Sequence, residues 1–185
     1  MEILSANSKL KKHKIFSFDL PPRITCVKCN CCCWAEKGHY TQKPKDKKLR
    51  WKFLHWLTKQ PDFESTMINS IKAKKSAAAI RIHGTGDYYS QDYIERWSKI
   101  IAALPKMKFY SYTKALHLDF KPLVDLDNFT LIQSYGGEYD HLINPRKPHA
   151  KIFKTKSELK SARYVDASED DRLAMTKTKI GLIAK

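Results

Sequence analysis

Cysteine is missing from most of the chain, because all five cysteines of its 185 residues lie between positions 26 and 33. This distribution argues against a disulfide framework, since bridges stabilise most by closing long loops and an odd count leaves one thiol over. It also argues against core packing, because buried structural cysteines are usually scattered along a sequence. The stretch "TCVKCNCCCWA" (25–35) therefore indicates a site for a soft metal.

Long apolar runs are also missing. No stretch approaches the roughly 20 apolar residues that cross a bilayer. The N-terminal "MEILSANSKLKKHK" lacks the apolar core and cleavage site of an export signal. Cysteines that must stay reduced to bind a metal fit the cytosol. The sequence therefore predicts a cytoplasmic protein with no membrane partner.

Acidic residues are scarce, with 19 Asp and Glu against 35 Lys and Arg and a net charge of +16. Residues 1–75 hold 17 basic and 6 acidic side chains, and "KPKDKKLRWK" (43–52) is the densest basic stretch. The electrostatic field of such an excess of positive charge attracts nucleic acid or an acidic host protein. The alternative is a solvated lysine-rich face that keeps the protein soluble. The candidate nucleic-acid-binding residues are Lys43, Lys45, Lys47, Lys48, Arg50 and Trp51.

The chain length suits one domain with a sizeable core. We expect residues 1–14 to form a basic flexible arm and residues 15–185 to form a single metal-binding α/β domain. Alternation of strands and helices predicts βαβ units in a mostly parallel sheet, TIM-barrel-like or a partial barrel. The predicted strands are 15–20, 77–83, 107–113 and 129–137. The predicted helices are 46–59, one starting near Pro61, 91–104 and a weak one at 157–162, with a short turn or helix at 121–126.

Ligands of parallel sheets gather at the carboxyl ends of the strands. In this chain those ends are the cysteine loop and the segments 83–87, 112–114 and 134–137, which we expect on one rim. His83 and Asp87 flank a Gly-rich turn there and are the candidate catalytic groups for proton transfer or orientation. The alternative is that His83 satisfies a buried carbonyl and that Asp87 only turns the chain.

The cysteine spacing allows two ligand sets, because Cys26 and Cys29 can be joined by Cys32 or by Cys33. Either set presents three thiolates from a tight loop, and a four-iron cluster tolerates three. Zinc is the alternative, although structural zinc usually takes two ligand pairs separated by a spacer. Redox-active or structural thiols are a third interpretation. The C-x3-C-x2-C spacing of radical enzymes is absent.

Three stretches together resemble the phage "gene product eighty-eight" family of bacteriophages and mobile elements, namely "CNCCCWA", "IRIHGTGDYYSQDYIERW" and "FYSYTK". The matching positions are Cys29, Cys33, Trp34, Ala35, Arg81, His83, Gly86, Asp87, Tyr88, Ser90, Trp97, Tyr112 and Thr113. The resemblance spans residues 15–140. It implies a phage protein, in the host cytosol, with a metal-binding, iron–sulfur-type cysteine loop on a barrel-like α/β fold.

The leading functional hypothesis is a phage-type protein with a [4Fe-4S] cluster at the strand-end rim. One iron without a thiolate ligand would be a Lewis acid, so hydrolysis of an ester-like small-molecule substrate is the candidate reaction. The alternative is a metal-stabilised basic module, without catalysis, that binds nucleic acid or a host protein. Electron transfer is a third class that no residue pattern specifically favours.

Overall fold

The computed structural model of the chain describes residues 1–29 and 44–184. Seven strands lie in these residues: β1 (Ile15–Phe18), β2 (Ala79–Ile82), β3 (Lys108–Thr113), β4 (Phe129–Ser134), β5 (His149–Phe153), β6 (Val165–Asp166) and β7 (Lys179–Ile183). They form one all-parallel sheet in the order β1-β2-β3-β4-β5-β7-β6, curled into a half-barrel. The prediction of a parallel α/β sheet in a partial barrel is confirmed.

Helices alternate with the strands along the chain. In the described residues they are α1 (Ser8–Lys12), α2 (Pro44–Leu57), α3 (Phe63–Ala73), α4 (Gln91–Ala102), α5 (Lys121–Val124) and α6 (Lys156–Ser161). Two short 3-10 helices, Asp140–Leu142 and Asp171–Met175, follow β4 and β6. No helix in the described part of the chain is both long and apolar enough to span a bilayer.

The strands alternate their side chains between two faces of the sheet. One face, called the α4 face, packs Phe18, Ile82 and Phe109 against apolar residues of α3 and α4. Helix α4 suits this face because its buried residues recur at helical spacing: Tyr93, Ile94, Trp97, Ile100 and Ile101. The opposite face, called the α1 face, is smaller and is covered by residues from α1 and the 3-10 helix Asp171–Met175.

Residues 1–14 differ from the predicted flexible arm. Leu4 and Leu10 are buried, and the backbone of Ser5 pairs antiparallel with Ser17 of β1. Burying one leucine contributes roughly 1.5–3 kcal/mol, which opposes release of the segment. The lysines around these leucines dominate the local composition and hide the apolar pattern. The segment is therefore packed against the sheet.

Strands β5, β6 and β7 were not among the predicted elements. Strand β5 follows the stretch "NPRKP", and Lys151 within it is exposed, so its apolar pattern is weak. It is held by its neighbours instead, since Gln133 of β4 pairs with His149 and five residues of β5 pair with β7. Tertiary pairing decides these strands where local propensity does not.

Candidate functional site

The carboxyl-end rim contains the beginning of the cysteine segment. Cys26 and Cys29 are both half-buried beyond the end of β1. Cys29 makes an isolated antiparallel bridge with Gly137, in the turn after β4. Lys28 accepts a backbone hydrogen bond of 3.1 Å from Glu138. The described beginning of the cysteine segment, up to Cys29, therefore crosses the rim and is fixed at the end of β4.

Lys114 provides a cation beside Cys29. Its Nζ lies 3.5 Å from Cys29 Sγ and donates a 3.1 Å hydrogen bond to the carbonyl of Gly136. A Cβ at Gly137 would lie 3.0 Å from Lys114 Cβ, so glycine lets the lysine side chain pass close to the turn. Lys114 therefore brings a positive charge beside the sulfur of Cys29.

Asp140 fixes the turn on which Cys29 rests. Its carboxylate accepts hydrogen bonds from the backbone N–H of Gly136, at 2.9 and 3.0 Å, and of Gly137, at 2.8 Å. A carboxylate that holds two consecutive N–H groups sets the shape of a tight turn. These hydrogen bonds, all within the described residues, fix the shape of the rim at the end of β4.

Asp87 joins three of the rim segments. Its carboxylate accepts hydrogen bonds from Thr113 Oγ1 at 2.6 Å, from Tyr88 N at 2.8 Å and from Lys114 N at 2.8 Å. Its own N–H donates to Thr25 Oγ1 at 3.3 Å. Burial raises the pKa of Asp87 to about 6, although the hydrogen bonds oppose the rise. The backbone N–H of Asp87 thus holds Thr25, next to Cys26, while the carboxylate of Asp87 contacts the end of β3.

His83 lies on a different side of the sheet from Arg81. Strand alternation would put residues 81 and 83 on the same face, but His83 has a φ of 65° and turns toward the α4 face. Its Nε2 is 3.0 Å from Tyr93 Oη, and its ring packs on Tyr88. Burial, with a smaller contribution from Arg81, lowers the pKa of His83 to about 3.

The two candidate catalytic residues are therefore both buried, and each is engaged by neighbouring groups. One is a neutral imidazole packed in an aromatic cluster, and the other is a carboxylate that accepts three hydrogen bonds. Both arrangements are typical of residues that position their neighbours. Among the described contacts, neither residue touches Cys26 or Cys29. The prediction that they transfer protons to or from a substrate stays a prediction.

A buried ionic network on the α1 face was not predicted. Asp171 is almost fully buried and accepts from Lys9 Nζ at 2.5 Å, Arg81 Nη1 at 2.9 Å and Tyr110 Oη at 2.7 Å. Burial alone would raise the pKa of Asp171, but Arg81 and Lys9 outweigh it and the pKa lies below its ordinary value. The sequence offers only an acidic turn, "DASEDD", because the partners are 61 to 162 residues away.

The predicted nucleic-acid-binding residues divide between two faces of α2. Lys45 and Lys48 are exposed, whereas Lys47, Arg50 and Trp51 are half-buried against the body of the protein. Arg50 holds the N-terminal segment, since it donates to Asp19 Oδ2 at 2.8 Å and to two backbone carbonyls at 2.9 and 3.1 Å. Helical periodicity could have found this division, because residues 47, 50, 51 and 54 lie on one side.

The complete predicted metal-ligand set is not contained in the described residues. Cys32, Cys33 and Lys43 lie outside them. Within residues 1–29 and 44–184 there is no group of three or more Cys, His, Asp or Glu side chains that could hold a metal ion. The two described thiols, Cys26 and Cys29, are half-buried, and Lys114 Nζ lies beside the sulfur of Cys29.

Comparison with known proteins gives one match that spans the chain. A family model described as Gene product 88 matches residues 1–185. No curated protein and no solved structure matches the sequence.

Proposed function

The chain belongs to the Gene product 88 family, and we propose that it binds an iron–sulfur cluster, of the [4Fe-4S] type, at the carboxyl-end rim of its half-barrel. The observation that supports this most is the attachment of Cys29 to the end of β4 through Gly137, with Lys114 Nζ beside its sulfur. This attachment puts one thiol of the cysteine segment at the position where parallel α/β sheets bind ligands.

The ligands in this proposal are Cys26, Cys29 and Cys33, with Cys32 in place of Cys33 as the second set. Thiolates are the ligands that both iron–sulfur clusters and zinc prefer, so zinc is the alternative metal. A cluster held by three thiolates supplies one iron as a Lewis acid, which is the chemistry that hydrolysis of an ester-like substrate requires. Hydrolysis is part of the proposal. We infer the ester-like class of substrate from the Lewis-acid character of such an iron alone.

The chain's own residues have defined tasks in this proposal. Lys114 balances negative charge at Cys29, and Asp87 holds Thr25 so that Cys26 enters the loop from a fixed position. His83 keeps the end of β2 in its left-handed turn by packing between Tyr88 and Tyr93. These residues support the site as positioning groups, as outer residues commonly do around metal ligands.

Single Cys→Ser variants test the ligand set. We expect anaerobically purified Cys26→Ser, Cys29→Ser and Cys33→Ser to lose most of their iron and visible absorption, because serine does not replace a thiolate ligand. Cys32→Ser should keep both, and Cys31→Ser is the matched control with the same exchange in the same loop. Loss at Cys32 with tolerance at Cys33 would select the second set. Full iron content in every single variant would contradict the proposal.

A second function is favoured by the outer side of α2. Its exposed positions form one stripe at helical spacing, in which Leu49 and Trp56 are 60% and 56% exposed. The lysines of this stripe are Lys45, Lys48 and Lys52, and the exposed Lys59 follows two residues beyond the end of the helix. Basic side chains around an exposed aromatic ring are the combination that holds single-stranded nucleic acid. We propose nucleic-acid binding on this stripe as the alternative to a catalytic role.

The salt dependence of binding tests this alternative. The double variant Lys48→Gln/Lys52→Gln should reduce the slope of log Kd for a labelled single-stranded oligonucleotide against log salt by about 1.4, since each phosphate contact contributes about 0.7. Lys47→Gln is the matched control, because Lys47 lies on the other side of the same helix. An unchanged slope in the double variant would show that the stripe does not bind nucleic acid.

A further inference from the structure

The α4 face of the sheet continues beyond β3 onto the strands of the C-terminal half. Residues that pair in a parallel register lie on the same side of a sheet, and Phe109 of the α4 face pairs with Phe129 of β4. Alternation puts Gln133 on that side too, and Gln133 pairs with His149 of β5, which pairs with Lys179 of β7. The α4 face therefore extends across β5 and β7, at the opposite end of the strand order from β1.

The helix that packs on this part of the face is the six-residue α6. Its buried residue, Leu159, lies against Gly181 of β7, where an added Cβ would be 2.4 Å from Leu159 Cδ1. Lys151, which pairs with Gly181, and Lys179, two residues before Gly181, are both exposed. The sheet thus presents two lysines to the surface beside the short helix.

A cluster of aromatic rings lies beside these two lysines. Tyr135, just after β4, and Tyr164, just after α6, both pack edge-on against His149, at centroid distances of 5.9 and 5.5 Å. Tyr164 also packs against Phe153 at 5.1 Å. His149 and Phe153 are buried, whereas Tyr135 and Tyr164 are half-buried. The buried rings therefore hold two tyrosine rings at the surface of the sheet.

The lysines lie over these rings. Lys151 Nζ is 6.0 Å from the ring centroid of Tyr135 and 5.8 Å from that of Phe153, and Lys179 Nζ is 5.9 Å from that of Tyr164. Neither lysine belongs to an ion pair among the residues that the structure describes. Their charges are held by aromatic rings, with no carboxylate of the described chain in salt-bridge contact.

More positive charge surrounds this surface. Lys147 and Lys177, which lie just before β5 and β7, are exposed, and no ion pair in the described part of the chain includes them. Residues 146–183 hold 10 Lys and Arg against 5 Asp and Glu. Two of those acids, Asp170 and Asp171, form their ion pairs at the 3-10 helix that covers the α1 face. The charge of the surface therefore suits a polyanion.

We propose that this surface, called the β5–β7 face and formed by Tyr135, Lys151, Tyr164 and Lys179, binds single-stranded nucleic acid. The lysines contact phosphates, and the two tyrosine rings stack on bases. An acidic protein would use the lysines but would have no bases for the rings, and a duplex keeps its bases stacked inside. The β5–β7 face is separate from the rim and from the outer side of α2, so the proposal rests on neither function proposed above.

Fluorescence anisotropy of a labelled single-stranded oligonucleotide tests the charge contacts. Lys151→Gln/Lys179→Gln should weaken binding by about tenfold at low salt and reduce the slope of log Kd against log salt by about 1.4, since each phosphate contact contributes about 0.7. Lys72→Gln/Lys75→Gln is the matched control, because it removes the same charge from exposed positions at the end of α3. The control should change affinity by less than about twofold.

The same measurement in a second background separates this face from the outer side of α2. In protein that already carries Lys48→Gln/Lys52→Gln, the exchange of the two β5–β7 lysines should weaken binding by the same factor as in the natural protein, because independent contacts add. A failure of the α2 stripe to bind nucleic acid therefore leaves this test intact. Loss of the effect in that background would show that the β5–β7 lysines act only through the general charge of the protein.

Replacement of one ring tests base stacking. Tyr135→Leu should weaken binding of the oligonucleotide by about tenfold and leave binding of inorganic polyphosphate, which has no bases, within about twofold. Tyr135→Phe keeps the ring and should bind the oligonucleotide like the natural protein. Circular dichroism verifies that the variants are folded.

Four results overturn the proposal. They are the absence of saturable oligonucleotide binding, equal losses in the β5–β7 lysine variant and its α3 control, equal losses of oligonucleotide and polyphosphate binding in Tyr135→Leu, and binding of polyglutamate as tight as that of the oligonucleotide at the same salt concentration. The last result would assign the β5–β7 face to an acidic protein.

Discussion

Replacing Asp171 with Asn is expected to lower the free energy of unfolding by about 3–5 kcal/mol, the usual cost of removing one partner from a buried ion pair. Asp171 accepts from Lys9, Arg81 and Tyr110, and its side chain is 1% exposed. The neutral amide would remove the negative charge that compensates Lys9 and Arg81, so these two cations would repel each other. Urea unfolding followed by circular dichroism measures the change.

Asp125→Asn is the matched control, because Asp125 makes an ion pair with Lys121 on an exposed surface of α5. This variant should change stability very little, since water screens exposed pairs. A double-mutant cycle with Lys9→Met isolates the Lys9–Asp171 interaction, for which we expect a coupling of at least about 1 kcal/mol. Similar losses in Asp171→Asn and Asp125→Asn would show that the network does not hold the N-terminal segment to the sheet.

Replacing Asp87 with Asn is expected to change how stability depends on pH. The pKa of this carboxyl is raised to about 6 from the usual 3.8, so the folded protein holds the proton more strongly than the unfolded chain. Its stabilising effect is full below about pH 4 and is lost as the pH rises through about 6. The shift corresponds to roughly 3 kcal/mol. The stability of Asp87→Asn minus that of the natural protein should therefore increase by this amount between pH 4 and pH 7.

Other carboxyls do not obscure this measurement. The pKa of Asp171 is lowered, so its contribution is lost only as the pH falls below about 4, and it is the same in both proteins. Thr113→Val provides a second check, because it removes a hydrogen bond that lowers the pKa of Asp87. That variant should move the upper end of the pH window above 6. A stability difference that stays flat from pH 4 to pH 7 would mean that the carboxyl does not titrate in this range.

The fold was predictable where apolar periodicity is strong. The sequence predicts a helix over 91–104, and α4 spans Gln91–Ala102, with Ser90 as its N-cap and Pro105 beyond its end. The strands around it were predicted within a few residues. The packing of residues 1–14 and the existence of β5, β6 and β7 depend instead on partners that are distant in sequence. Local patterns do not contain that information.

The candidate site was also predictable only in part. Parallel strands bring the cysteine segment and the end of β4 together, and Cys29 does lie beside Gly137. The direction of His83 depends on one left-handed backbone angle, and the partners of Asp171 come from α1, β2 and β3. Only the folded chain shows these contacts, which is why the sequence predicts His83 at the strand-end rim and does not predict the partners of Asp171.

The metal content of the natural protein tests the account most directly. Protein purified without oxygen should be brown and contain about four iron and four acid-labile sulfide ions per chain, with little zinc. Colourless protein that contains one zinc ion per chain, or no metal at all, would contradict the proposed iron–sulfur site at the rim.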